Sequence, residues 1–112
     1  MRIRPALVAL PLLLSACLSH PPPPAAPYHA IGTAEQWHLI IDDKHVTFIP
    51  AGQQPIRQPR PTPIVGVAGD IYQTPRINVN IVHAQCAAGG RTYPDRVQVS
   101  VDGVQNEGCG GL

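Results

Sequence analysis

Apolar and polar residues alternate along the chain beyond Tyr28, and this period of two predicts β-strands with one buried face. The alternation is clearest in residues 77–82, which read INVNIV, and in residues 97–101, which read VQVSV. The pair Asp102-Gly103 that follows is a strong signal for a hairpin turn. Apolar residues do not recur at helical spacing for three turns in this part of the sequence. The pattern therefore predicts an all-β domain.

A further hairpin is predicted around the neighbouring carboxylates Asp42 and Asp43. With a two-residue loop, the cross-strand pairs that share one face are Ile41–Lys44, Leu39–Val46 and Trp37–Phe48. In this register, Trp37 and Phe48 belong to the hydrophobic core. The aromatic residues Tyr72 and Tyr93 are compatible with either a core or a ligand-binding patch.

Two other segments complete the predicted sheet. Residues 64–72 form one strand, with bends or bulges at Gly66 and Gly69. Residues 51–63 contain four prolines and are predicted to be an irregular loop. Tight turns between short alternating strands favour a small antiparallel β-barrel or a strongly curved meander sheet, because closure removes exposed strand edges.

The first 16 residues have the features of a bacterial secretory signal. Arg2 and Arg4 precede an apolar run, 6–14, that is too short to span a bilayer, which needs ~20 apolar residues. The following residues, Leu-Ser-Ala-Cys at 14–17, resemble the lipobox of bacterial lipoproteins. That resemblance implies acylation of Cys17, and Leu18 rather than Asp after it implies sorting to the outer membrane.

The domain organisation follows from this processing. We expect a signal peptide at residues 1–16, a lipidated and proline-rich tether at 17–29, and a periplasmic all-β domain at 30–112. Residues 18–27, which end in HPPPPAAP, reach roughly 31 Å when extended at about 3.1 Å per residue. The whole chain has 8 Lys and Arg against 7 Asp and Glu, and loss of the two signal arginines leaves 6 against 7. A net charge near −1 predicts no nucleic-acid partner.

The other two cysteines, Cys86 and Cys109, form an even pair once Cys17 carries lipid. In an oxidising compartment the default is a disulfide between them. The alternative is a reactive thiol or a metal-binding pair. A separation of 23 residues lacks the close Cys-x₂-Cys pairing that is typical of zinc sites.

Several motifs of the domain resemble a family of small, uncharacterised lipoproteins and envelope proteins of proteobacteria. The matching pieces are Gly32-Thr33 with Trp37, IYQTPRINVNIVHAQC at 71–86, Arg91 with Tyr93-Pro94, VQVSVDG at 97–103 and GCGG at 108–111. Two segments depart from the family pattern: GTAEQW replaces the usual GTEPFW, and CAAGGR replaces a longer acidic segment. The resemblance implies a β-rich envelope domain with paired cysteines and implies no specific activity.

Candidate chemistry is sparse. In the predicted hairpin, His38 and His45 are diagonal neighbours on one face and are the weak candidates for a metal site, with His83 or Asp70 as a third ligand. Ser100 lies on a polar strand face without a nucleophile motif around it. We therefore expect no catalytic residues, no enzymatic activity and no cofactor.

The resulting hypothesis is a non-enzymatic binding or structural module, held at the periplasmic face of the outer membrane, with another envelope protein as partner. One alternative is an inhibitor of a lysozyme-like hydrolase, by analogy with other small disulfide-linked β-barrel lipoproteins. For this alternative, Gly69-Asp70-Ile71-Tyr72 weakly resembles the Ser-Gly-x-x-Tyr loop of such inhibitors. A further alternative is a metal-binding periplasmic protein.

Overall fold

The computed structural model describes residues 26–112, which contain eleven β-strands and no helix. The strands are β1 (Tyr28–Gly32), β2 (His38–Ile41), β3 (His45–Ile49), β4 (Ile56–Pro59), β5 (Ile64–Val65), β6 (Gly69–Gln73), β7 (Ile77–Val82), β8 (Cys86–Ala88), β9 (Arg91–Tyr93), β10 (Asp95–Val101) and β11 (Val104–Gly110). The expected signal peptide, Cys17 and the tether as far as residue 25 lie outside the described residues. β1 begins at Tyr28, two residues before the expected start of the domain.

Nine of the strands form one antiparallel sheet in the order β4-β3-β2-β1-β11-β10-β7-β6-β5, and β8 pairs with β9 as a separate hairpin. The large sheet is strongly curled into a half-barrel whose concave face holds the hydrophobic core. The predicted class, an all-β and strongly curved antiparallel sheet with one disulfide, is confirmed.

The core is built from the alternating residues of the central strands. β7 and β10 pair directly, with Val79 opposite Val99, and their inward-facing side chains are nearly inaccessible to solvent. Trp37 and Phe48 also belong to the core, with ring centroids 5.4 Å apart. Burying each such side chain contributes roughly 1.5–3 kcal/mol relative to leaving it exposed.

The predicted turn between β10 and β11 is confirmed. Asp102 and Gly103 both have positive φ, 49° and 85°, as a two-residue turn of type I′ requires. Asp102 also accepts two hydrogen bonds from the Arg76 guanidinium, at 2.9 and 2.7 Å. This ion pair is half exposed, so we assign it little stabilising effect.

The register predicted for the β2–β3 hairpin is wrong by two residues. Ile41 pairs with Val46, and Leu39 pairs with Phe48. The cause is the Asp42 carboxylate, which accepts hydrogen bonds from the backbone N–H groups of Lys44 and His45 at 2.8 and 2.7 Å. Asp42 therefore faces His45, and the turn is centred on Asp43 and Lys44 rather than on Asp42 and Asp43. A shift of two keeps each side chain on its face, so the predicted core residues are unaffected.

Two further predictions are corrected. Residues 64–72 are not one bent strand, because β5 and β6 form a hairpin in which Ile64 pairs with Ile71. The proline-rich stretch 51–63 is not wholly irregular, because its centre forms β4 and pairs with β3. Strand β4 lies at the edge of the sheet, where proline is tolerated because only one side of the strand must supply hydrogen bonds.

Strands β4 and β5 are consecutive in sequence yet lie at the two ends of the sheet order. Pairing them would close the barrel, but no amide hydrogen is offered to a ladder by Pro59, the last residue of β4, or by Pro61 and Pro63 in the connection 60–63. We call this open join between β4 and the β5–β6 hairpin the seam. Side chains cross it: the Arg60 guanidinium lies 5.4 Å from the ring centroid of Tyr72 on β6.

Candidate functional site

Two glycines of the motifs that resemble the lipoprotein family, Gly32 and Gly108, make room for the Trp37 indole. A Cβ atom at Gly32 would lie 2.6 Å from the indole Nε1, and one at Gly108 would lie 2.7 Å from two ring carbons. Such contacts are too short for any side chain, so the indole is packed between two glycine backbones. These motif positions are therefore explained by packing at the junction of β1, β2 and β11.

The predicted disulfide is confirmed. Cys86, the first residue of β8, is bonded to Cys109 of β11, with a Cα–Cα distance of 5.5 Å. Cys109 lies opposite Arg96, on the outer face of the sheet, and is completely buried. The disulfide therefore attaches the β8–β9 hairpin to the convex side of the half-barrel.

A cleft of about 460 Å³ lies between this hairpin and the outer face of β1, β2 and β3. We call it the outer cleft. Its floor consists of three half-buried isoleucines, Ile31, Ile40 and Ile49, and its wall contains Tyr93 and the C-terminal Leu112. Apolar walls with few polar groups are typical of binding sites. The outer cleft is therefore the best candidate binding site in the described part of the chain.

The polar rim of the outer cleft is neutral or basic. It includes His29 and His38, which belong to β1 and β2 of the sheet, and Arg91, which belongs to the β8–β9 hairpin. The Arg91 guanidinium carbon is 5.8 Å from the ring centroid of Tyr93, close enough for a cation–π contact. Tyr93 is 8 % exposed, so it serves both as a packed side chain and as part of the cleft wall.

A second polar cluster lies on the concave face. The Tyr28 hydroxyl donates a hydrogen bond of 2.8 Å to Asp95, and the other carboxylate oxygen of Asp95 is 2.9 Å from Nδ1 of His83. Asp95 is 7 % exposed and starts β10. The two hydrogen bonds satisfy a carboxylate that would otherwise be buried without partners.

The pKa values in this cluster follow from its geometry. Burial raises the pKa of Tyr28 far above its usual value, and the hydrogen bond to Asp95 raises it further. The hydrogen bond to Asp95 also raises the pKa of His83, against a smaller opposing effect of desolvation. Both groups are therefore held in their protonated forms over a wider pH range than in the unfolded chain.

The last two glycines of the GCGG motif accommodate this cluster. A Cβ at Gly110 would lie 2.6 Å from the Tyr28 hydroxyl, and one at Gly111 would lie 2.8 Å from the Asp95 carboxylate. Gly111 also has a φ of 98°, which other residues rarely adopt. The GCGG motif thus combines a disulfide cysteine with three glycines that are required by close contacts.

Ser100 and the His83–Asp95 pair do not form a catalytic arrangement. Both Asp95 and Ser100 lie on β10, but they differ by an odd number of positions and so face opposite sides of the sheet. The two residues are also five positions apart on β10, which corresponds to roughly 17 Å at about 3.4 Å per residue. The expectation of no catalytic residues stays a prediction.

The corrected register separates the two weak metal-ligand candidates. His38 pairs with Ile49, whereas His45 lies four positions before Ile49 on β3. At about 3.4 Å per residue, roughly 14 Å of strand separates the two histidines. Within residues 26–112, no three His, Cys, Asp or Glu side chains are arranged to hold a metal ion. The proposed third ligand His83 is instead bound to Asp95.

The segment that resembles an inhibitor loop is not a loop. Gly69 to Gln73 form β6, and Tyr72 is 9 % exposed within the core. Tyr72 therefore offers no exposed side chain that could contact a hydrolase. Inhibition of a lysozyme-like hydrolase stays a prediction.

Comparison of the chain with protein-family models, with curated proteins and with solved structures found no match. Among residues 26–112, no helix has the length and apolar character to cross a membrane. The resemblance to envelope lipoproteins therefore stays an expectation from the sequence motifs.

The outer cleft was not predicted from the sequence, although a signal for it exists. Ile31, Ile40 and Ile49 occupy positions that the alternating pattern assigns to solvent. Apolar residues on both faces of adjacent strands indicate that something covers the outer face. The β8–β9 hairpin covers part of this surface, and the cleft is the part left open.

Proposed function

We propose that this chain is a lipoprotein anchored through Cys17 to the periplasmic face of the outer membrane, and that its β-domain binds another envelope component without catalysing a reaction. The observation that carries the binding role is the outer cleft, whose apolar floor is flanked by a disulfide-linked hairpin. Support for the anchor comes from the lipobox-like residues 14–17.

The chemistry of the outer cleft defines the partner that fits it. Three isoleucines offer an apolar floor for one or two apolar side chains, and Arg91 offers a positive charge at the rim. We therefore propose a protein or peptide partner with an apolar segment next to an acidic group. Burial of the apolar segment supplies affinity, and pairing with Arg91 supplies orientation.

Photo-crosslinking in cells tests the binding role. A photoreactive amino acid at His38, on the rim, is compared with the same amino acid at Ser100, which is half-buried on the outer face of β10. We expect one discrete adduct from position 38 and none from position 100. The substitution Ile31→Lys, which places a charge on the cleft floor, should abolish the adduct.

Two results would contradict the proposal. Equal adducts from both positions would indicate non-specific encounters, and an adduct that survives Ile31→Lys would show that the cleft floor is not used. The anchor is tested separately by membrane fractionation: Cys17→Ser should release the protein from membranes, and continued membrane association of that variant would refute lipidation at this residue.

A further inference from the structure

The β5–β6 hairpin ends in an exposed apolar turn. We call residues 64–68, with sequence IVGVA, the apolar tip. Ile64, Val65 and Val67 are 56 %, 73 % and 103 % exposed, and no charged residue lies among the five. Single exposed apolar residues are common in soluble domains, but an uninterrupted cluster at a hairpin end is a feature of interaction sites.

The apolar surface continues from the apolar tip onto the sheet. A shallow groove of about 310 Å³ runs beside the tip along the outer face of β6 and β7. Ile71 and Val82 line it, with Asn80 as its polar member. The exposed apolar surface is therefore larger than the turn alone.

The apolar tip lies at the same end of the sheet as the point where the chain enters the domain. The Ala68 carbonyl accepts a hydrogen bond of 2.8 Å from the backbone N–H of His83. The His83 ring in turn is hydrogen-bonded to the Asp95 carboxylate, which also accepts a hydrogen bond from the Tyr28 hydroxyl. Three hydrogen bonds thus connect the tip to the first residue of β1.

We infer that the apolar tip is a second membrane contact, which inserts at the boundary between headgroups and acyl chains of the bilayer that holds the anchor. The inference rests on the proposed lipid anchor at Cys17. Only residues 18–27 separate that cysteine from Tyr28, and their full reach is roughly 31 Å. A tether of this length keeps the tip-bearing end of the domain near the bilayer and raises the local concentration of lipid around it.

The composition of the tip favours lipid over a protein pocket. Residues 64–68 carry no charge and no side-chain hydrogen-bonding group that would select a particular protein surface. Lipid interfaces accept apolar side chains at a depth of about 5–10 Å without such selection. The Asp42-Asp43 turn lies at the same end of the sheet, since Ile41 pairs with Tyr28, and its carboxylates stay in water. Contact is therefore limited to the tip, and it orients the domain.

Fluorescence quenching in vesicles tests the contact with the lipidated full-length mature protein. Val67→Cys provides a single free thiol for an environment-sensitive fluorophore, because Cys86 and Cys109 are bonded to each other. Val104→Cys is the matched control, an exposed valine that follows the turn at the opposite end of the sheet. Vesicles contain phosphatidylethanolamine and phosphatidylglycerol, with nitroxide-labelled lipids as quenchers.

We expect strong quenching at position 67, greater with shallow nitroxides than with deep ones, and no quenching at position 104. Equal and water-like emission at both positions, in a protein that floats with the vesicles, overturns the inference and leaves the anchor intact. A protein that does not float refutes the anchor, and the inference with it. If the fluorophore at position 67 is shielded from water in isolated outer membranes but not in vesicles, the inference of a lipid contact is also overturned. That result would indicate that a protein covers the apolar tip.

Discussion

Removal of the Cys86–Cys109 disulfide is expected to destabilise the domain severely. The bond joins residues separated by 23 positions, and the loop it closes contains β8, β9, β10 and most of β11. The chain-entropy relation for a loop of that length gives a stabilisation of about 3.4 kcal/mol at 25 °C. A domain of this size has a total unfolding free energy of about 4–13 kcal/mol. The disulfide therefore supplies a large part of the stability.

Urea denaturation of protein lacking residues 1–17 measures the effect. With a urea dependence of about 1 kcal/mol per molar for a small domain, the midpoint of C86A/C109A should fall by about 3 M relative to the oxidised protein. Reduced wild-type protein is the control, because it keeps both sulfur atoms and lacks only the bond. It should lose most of the same stability, and the remaining difference reports packing around the buried Cys109.

Hydrogen exchange provides a second readout of the same variants. The β8–β9 hairpin pairs only with itself, so its amides should exchange much faster when the bond to β11 is absent. A midpoint change below about 0.5 M, in both the reduced protein and the double variant, would refute the entropic reasoning. It would show that contacts such as those of Tyr93 hold the hairpin without the covalent link.

Three further outcomes are expected. Gly108→Ala should lower the unfolding free energy measured by urea denaturation by about 2–3 kcal/mol, because the new Cβ would clash with the Ile31 carbonyl and with the Trp37 indole. Gly66→Ala is the control and should be near neutral, because its Cβ meets only ordinary contacts. Equal effects of the two substitutions would contradict this explanation. Tyr28→Phe should cost about 1–2 kcal/mol by removing a donor to a buried carboxylate, and no loss would mean that water replaces it. Because the folded pKa of His83 is raised, its contribution to stability should be complete below about pH 6.5 and lost as the pH rises through the folded pKa. His83→Gln should remove this part of the pH dependence, and an unchanged profile would show that another group causes it.

The alternation of apolar and polar residues predicted β7 and β10 well, because burial of one face imposes a period of two on each strand. The same pattern failed to predict the β2–β3 register for a physical reason. A slip of two residues leaves every side chain on its face, so hydrophobicity alone does not distinguish the two registers. The Asp42 side chain determines the register, because its carboxylate accepts hydrogen bonds from two backbone N–H groups of the turn.

Other features escaped prediction because local composition gave the opposite signal. The β5–β6 turn is apolar, so Val67 extended the apparent strand instead of ending it. The prolines around β4 indicated a loop, although an edge strand has to pair on one side only. For the outer cleft, the apolar residues Ile31, Ile40 and Ile49 indicated that something covers the outer face, but the strand pattern did not show that the cover is the β8–β9 hairpin held there by the disulfide.

The seam at Pro59, Pro61 and Pro63 has a consequence for how this domain tolerates sequence change. In a closed barrel, the number of strands and their stagger fix the radius, so a larger core residue strains the whole ring. Here no backbone hydrogen bonds join β4 to β5, and the gap is crossed only by the short connection 60–63 and by side chains such as that of Arg60. The curl of the sheet is therefore not fixed by a closed ladder of backbone hydrogen bonds. We therefore expect relatives of this domain to vary most freely in their core residues near the seam, and to conserve their β1–β11 junction.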